Sequence, residues 1–383
     1  MIDQVGVEPE APQVTDGDIA VVNLKSATHA SWSRFWRDAR RPGIAELIFE
    51  QEQLAAQFLG DLRALDRVET LVNQLVRAEG ESARTALVQA QFASMTHRFA
   101  DARNYIEQAT DRGATPDETS RLSLSIDQAR GTELDAVLEA RRRMAAASGR
   151  LEDRLPLGAL LADLGEYDEA DRIYRQALSE YQDASPFAVA WVCFQLGALW
   201  GELVPETQSS RAAQWYRKAI EYLPAYVKAR VHLAEIYADS DRAAEAEALL
   251  TPVIASGDPE VSWRLADVLH AMGRFADAAT QMQTARSGFE ALLGKYLLAF
   301  ADHGAEFYAG SGDDAARALE LASANVTNRP TLRALQQAHA AALGAGAPDV
   351  ASRFLAAAEK RWGHTKAFRL SALAACPRNG VAT

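Results

Sequence analysis

The sequence is poor in cysteine: its 383 residues include two, Cys193 and Cys376. Two thiols this far apart cannot frame a disulfide scaffold, nor fill a four-ligand zinc site on their own. A surplus of basic charge is also missing. Forty Lys and Arg stand against 52 Asp and Glu, a formal net charge of −12, which excludes the basic footprint of non-specific nucleic-acid binding. No apolar run approaches the roughly 20 residues of a membrane helix. The start, MIDQVGVEPEAPQVTDGD, has no basic region followed by an apolar core, as a secretory signal would. Together these absences lead us to expect a cytoplasmic chain with neither nucleic acid nor membrane as partner. Specific catalytic motifs are missing too. There is no G-x-x-x-x-G-K phosphate loop, no G-x-G-x-x-G, no H-E-x-x-H and no G-x-S-x-G elbow. No catalytic residue, cofactor or resident metal is therefore expected. Cys193 lies in the apolar stretch AWVCFQLGALW and reads as a buried structural thiol.

What the chain does have is periodicity. Segments such as GEYDEADRIYRQAL (165–178) and GRFADAATQMQTA (273–285) restart after a small turn with an acidic-alanine step. A marker alanine recurs at Ala102, Ala136, Ala170, Ala212, Ala246, Ala278, Ala318 and Ala351. The steps are 34, 34, 42, 34, 32, 40 and 33 residues. The two long steps contain GELVPETQSS (201–210) and GFEALLGKYLLAF (288–300), which read as helix extensions or loop insertions.

This pattern resembles the tetratricopeptide repeat family, whose unit is a helix–turn–helix. The best unit, 154–186, supplies Leu157-Gly158, Leu161, Gly165, Tyr167, Ala170, Tyr174 and Ala177. The next has Leu196-Gly197, Trp200, Ala212, Tyr216 and Ala219. The resemblance implies an all-α fold: a right-handed superhelical solenoid of about eight repeat pairs, in which stacked neighbours bury a shared core. Within it, residues 1–30 are expected to be mobile, with a possible extended stretch at 18–24. Residues 31–80 form a degenerate helical cap, 81–362 the repeat array, and 363–383 a terminal cap or tail.

In such repeats the first helix of each unit lines the concave surface. Carried over position by position, the resemblance nominates Trp191, Phe194 and Gln195 in one unit, and Lys228, His232, Glu235 and Asp239 in the next. It then nominates Trp263, Arg264, Asp267 and His270, followed by Asp302, His303 and Glu306. His232/Glu235 and His303/Glu306 are each three apart and so share a helix face, with Asp267 and His270 between them. The set admits a solvated polar groove, a peptide groove, or a divalent-metal site of imidazole and carboxylate. Spacing weighs against the last, because His232 and His303 sit two units apart. The aromatics Trp191, Phe194 and Trp263 read either as core or as contacts for a peptide side chain. His97, in the turn HRF, reads as closing a helix end.

The resulting expectation is a non-catalytic interaction scaffold that binds another protein or an extended peptide in the groove, with self-association also open. The alternative is a metal- or small-ligand-binding accessory protein of a metalloenzyme or peptide-modification pathway.

Overall fold

The computed structural model describes residues 12–376, and these residues contain helices and no strand. Three helices come first: α1 (Gly17–Phe35), α2 (Ile44–Leu59) and α3 (Ala64–Glu79). Helix pairs follow: α4 (Ala83–Met95) with α5 (Phe99–Asp111), α6 (Pro116–Arg130) with α7 (Leu134–Ser148), and α8 (Leu151–Leu164) with α9 (Tyr167–Ser179). Next are α10 (Pro186–Ala198) with α11 (Ser209–Tyr222) and α12 (Val227–Ala238) with α13 (Ala243–Leu250). Helix α14 (Pro259–Ala271) packs on α15 (Phe275–Ala309), which packs in turn on α16 (Ala315–Asn328). The array ends with α17 (Leu332–Gly344), α18 (Pro348–Trp362) and the short α19 (Lys366–Leu370). Helix α15 is shared by two pairs and kinks at Tyr296, whose φ −128°, ψ 48° is not helical. Counted so, eight pairs are present between α4 and α18.

The pairing follows from residue size. In α9 the buried residues Ala170, Ile173, Tyr174 and Ala177 form a stripe of helical period. Tyr174 lies over Gly158 of α8 so closely that a Cβ there would meet the ring at 2.5 Å, and Tyr216 of α11 lies over Gly197 of α10 in the same way. The small residue of the first helix is thus the seat for an aromatic of the second. Gly197→Val is expected to lower stability by about 1–3 kcal/mol through overpacking. Gly294→Ala, where a Cβ meets nothing within 4 Å, should be neutral or slightly stabilising. Thermal melts of the two variants check this, and equal melting temperatures would contradict it.

Of the marker alanines, seven are buried, from Ala102 at 0% to Ala278 at 5% exposure. Ala136 is the exception: it is exposed, and Val137 takes its place in the core. The turn before α7 contains two left-handed residues, Gly131 and Glu133, and the longer turn slips the register by one. Both long steps have a structural cause. The first is a π-helical turn, Leu199–Leu203, which extends α10. The second is the extended, kinked α15.

Two expectations are corrected. Residues 17–30 are helical rather than mobile or extended; residues 1–11 lie outside the described part. Helix α1 is capped by the Asp16 carboxylate, which accepts from the Asp18 and Ile19 amides. It buries Ala20, Leu24, Ser31 and Phe35, and Gly17 abuts the end of α11, where a Cβ would meet the Tyr222 carbonyl at 2.4 Å. Packing of this helical stripe overrides the strand preference of Ile19, Val21 and Val22. Second, Pro186–Leu203 is an 18-residue stretch apolar enough by length and composition to cross a membrane, yet 56% of it is buried inside the array. Cys193, at its centre, is 1% exposed, and burial pushes its thiol up to about 12, as suits a structural thiol.

The array also closes on itself. Contacts between distant residues recur at two separations. Asp66 accepts from Lys295 and Tyr296, 229 and 230 residues on. Asn328 donates to the His97 carbonyl, 231 residues away, and Arg361 donates to the carbonyls of Arg130 and Gly131, at 231 and 230. His97 with Leu298, and Lys366 with Glu166, are separated by 201 and 200. The two separations differ by about one repeat, and the turn at His97 makes both, to Leu298 and to Asn328. The kink delivers Tyr296 into this seam, where it joins the core of the first three helices beside Phe35, Ile48 and Leu71. His97 belongs to the seam as well. Burial and the nearby Arg329 hold it down at about 4, so it is neutral and its Nδ1–H donates to the Leu298 carbonyl at 3.1 Å.

Candidate functional site

A cavity of about 410 Å³ opens between the turn that follows α10 and helices α11, α12, α14 and α15. Of the residues nominated from sequence, His232, Glu235, Asp239, Arg264, Asp267 and Glu306 line it. Glu202, Tyr216 and Thr207 line it too. Glu202 sits on the π-helical turn, which displaces it from the regular repeat register; such turns often mark functional sites.

These groups form one connected ionic chain. His232 Nδ1 lies 3.0 Å from Glu202 Oε1 and 3.3 Å from Glu235 Oε2. The Tyr216 hydroxyl donates to Glu202 Oε1 at 3.1 Å, and Arg333 donates to Glu202 Oε2 at 3.2 Å from α17. Arg264 bridges Glu235 at 2.5 Å and Glu306 at 2.9 Å. Its guanidinium also lies 3.5 Å from the centroid of the Trp263 ring. The His232 ring stacks on Tyr216 and meets Phe194 edge-on. Burial works against a charge on His232, but Glu202 and Glu235 outweigh it and raise the imidazole to about 10. Burial likewise works against Glu202, yet His232 and Arg333 bring it down to about 2. The two flanking carboxylates thus favour the charged imidazolium of His232, which donates to them.

Five carboxylates, Glu202, Glu235, Asp239, Asp267 and Glu306, line the cavity against two cations, His232 and Arg264. Asp239 is exposed, and burial holds the Asp267 carboxyl above its usual range. The cavity wall is thus negative on balance, with its own cations already engaged by Glu202, Glu235 and Glu306.

Several nominated residues lie elsewhere. Trp263 is 2% exposed and packs between Phe289 and Phe307, so it is core. Trp191 and Phe194 are half-buried against the core, and Gln195 is half-buried beside them. Lys228 is half-buried and acts on Asp258 and Glu260. His270 is exposed against Phe275, not between the two His/Glu pairs. The His303/Glu306 pairing does not form: His303 lies 3.8 Å from Glu260, while Glu306 goes to Arg264. Asp302 is bound by Arg329. Among the described residues no three His, Cys, Asp or Glu side chains converge as metal ligands. The sequence reading missed Glu202, Tyr216, Glu260 and Arg333. The long step around 201–210 was the one signal that pointed towards Glu202.

Residues 157–183, which span the second half of α8 and all of α9, match the tetratricopeptide repeat family. A search of curated proteins gave no match. Among solved structures the chain is similar to one described as the APC/C hetero-tetramer Cut9-Hcn1, at 13% identity and TM-score 0.41, covering 91% of this chain and 72% of that one. It is similar to a tetratricopeptide repeat protein from Parabacteroides merdae at 15% identity and TM-score 0.38, covering 68% and 99%. It is also similar to MamA at 16% identity and TM-score 0.35, covering 44% and 95%. All three TM-scores lie below 0.5. The chain is a helical-repeat protein that carries a tetratricopeptide repeat at residues 157–183.

Proposed function

We propose that the chain is a non-catalytic interaction scaffold that holds a protein segment of basic or mixed charge in the cavity around His232. Tetratricopeptide repeats generally mediate protein–protein interactions, and stacked repeats present one continuous surface to an extended partner. The observation that carries the reading is the five-to-two excess of carboxylates over cations lining the cavity. Lys or Arg side chains entering beside Asp239 and Asp267 offset part of that excess, and charge complementarity of this kind sets partner choice and on-rate.

The test is fluorescence anisotropy with the full chain and two labelled 12-residue peptides of equal length and apolar content, one Lys/Arg-rich and one Asp/Glu-rich. The basic peptide should bind, more weakly as salt rises. The triple variant Glu235→Gln, Asp239→Asn, Asp267→Asn should weaken it at least about tenfold, a loss of roughly 1.4 kcal/mol. Preference for the acidic peptide, or a triple variant that binds as the wild type does, would overturn the reading.

A further inference from the structure

A second and larger cavity, about 780 Å³, lies away from the ionic chain, between α1, the α2–α3 pair and the segment from Ala225 to Ser256. Only the superhelical turn brings these three parts together. The joint is close-packed: a Cβ on Gly60 would meet Val227 and Ser256 at 3.1 and 3.2 Å. The space remains because small residues, Ala55, Ala225 and Ala255, form part of the wall. Its volume is in the range of small-molecule sites.

The wall is mainly apolar, and its polar groups divide into two kinds. Glu52, 1% exposed, accepts from Trp32 Nε1 at 2.7 Å and from Arg67 at 2.6 Å. Arg67 also donates to Asp61 at 2.8 Å. These groups hold one another and fix the floor, leaving the buried Asp61 Oδ1 without a hydrogen bond. Lys25 and Arg63 are different. Both are exposed at the rim; Arg63, 83% exposed, meets Asp61 Oδ1 at 3.5 Å, while Arg67 holds Asp61 Oδ2. Three cations therefore face two engaged carboxylates, a positive rim on a chain of net charge −12. At the same rim Trp36 stacks on Trp32 and remains 59% exposed, a large apolar surface that an occupant would cover.

We propose that this cavity binds a free single-chain amphiphilic acid, its hydrocarbon or aromatic body lying against Trp32, Trp36 and the alanine wall, and its anionic head meeting Lys25 and Arg63. An acid suits the site because cations outnumber carboxylates three to two along its lining, and the one carboxylate oxygen without a hydrogen bond, Asp61 Oδ1, already faces Arg63 at 3.5 Å. This site is independent of the cavity around His232, so its failure leaves the scaffold reading untouched.

The probe is 1-anilinonaphthalene-8-sulfonate, an aromatic body with one anionic group, followed by energy transfer from tryptophan in the full chain. Decanoate below its micellar concentration should displace it, and decylammonium should be at least about tenfold weaker, roughly 1.4 kcal/mol. Lys25→Glu with Arg63→Glu should weaken decanoate by a similar factor without changing the melting temperature, since both side chains are exposed. Ala255→Trp, which fills the wall, should abolish displacement. Equal affinity for decanoate and decylammonium overturns the proposal, as does unaltered binding in the charge-reversed or filled variant. Displacement by phosphatidylglycerol vesicles but not by decanoate also overturns it, because a membrane headgroup would then be the occupant.

Discussion

Replacing Trp362 with alanine is expected to lower the unfolding free energy by about 3–5 kcal/mol, the range for truncating a large buried aromatic. Trp362 is 2% exposed, and its indole Nε1 donates to the Pro330 carbonyl at 3.0 Å. Its ring presses on Gly131, where a Cβ would come within 2.7 Å. It shares a core with Leu335 and Phe368 from the end of the array and with Leu134 and Leu164 from the first turn. The loss is therefore not confined to α18. It opens the seam, and hydrogen exchange should quicken in α6 and α7, more than 200 residues earlier, as well as in α18 and α19. Trp362→Phe keeps most of the apolar contact and loses the hydrogen bond, so a loss nearer 1–2 kcal/mol is expected. Urea unfolding and exchange mass spectrometry check both. A loss under about 1 kcal/mol for Trp362→Ala, or exchange changes limited to α18, would mean that the two turns do not pack as described.

The second large effect concerns His232. Its removal leaves Glu202 and Glu235 facing each other without the cation between them; their side chains are each 26% exposed. Breaking a buried ion pair by removing one partner costs about 3–5 kcal/mol, and His232→Ala is expected at the lower end, because Arg333 and Arg264 still reach the two carboxylates. The pH dependence has a definite sign. The imidazole rises from its ordinary 6.5 to about 10 on folding, so its contribution is complete below pH 6.5 and disappears as pH climbs through about 10. Glu202 falls from 4.5 to about 2, so its contribution is complete above pH 4.5 and disappears as pH drops towards about 2. The stability gap between wild type and His232→Ala should therefore be widest between about pH 4.5 and 6.5 and narrow on both sides. Denaturant titrations at pH 3.5, 5.5, 8 and 10 measure it. A gap that widens from pH 5.5 to pH 10 contradicts an imidazolium at this position.

How legible the site was differs from residue to residue. His232, Glu235, Asp239, Arg264, Asp267 and Glu306 were reached from sequence because they stand at regular positions of first helices, where register alone sets which way a side chain faces. Trp263 stands at such a position too, but the indole turns into the core beside Phe289 and Phe307. A bulky aromatic can bury itself where a small polar residue would face the groove. His303 was placed on the correct helix with the wrong partner, since Glu260, on the neighbouring helix, lies nearer than its own i+3 residue.

The sequence by itself determined that the chain is helical, that the helices come in pairs, where most of those pairs begin, and which alanines and glycines seat them. These are local matters: a 34-residue period, small residues opposite large ones, and turn residues between. Tertiary structure decided the rest. The partners Glu202 and Arg333, the closing of one superhelical turn on the next at separations of 200–231 residues, the helical state of 17–30 and the cavity beside Trp36 all depend on contacts between units distant in sequence. A repeat pattern records how each unit meets its neighbour and carries no term for the unit one full turn away. The superhelical pitch that sets this contact accumulates from small rotations at every step, including the π-helical turn and the kink at Tyr296 that interrupt the period.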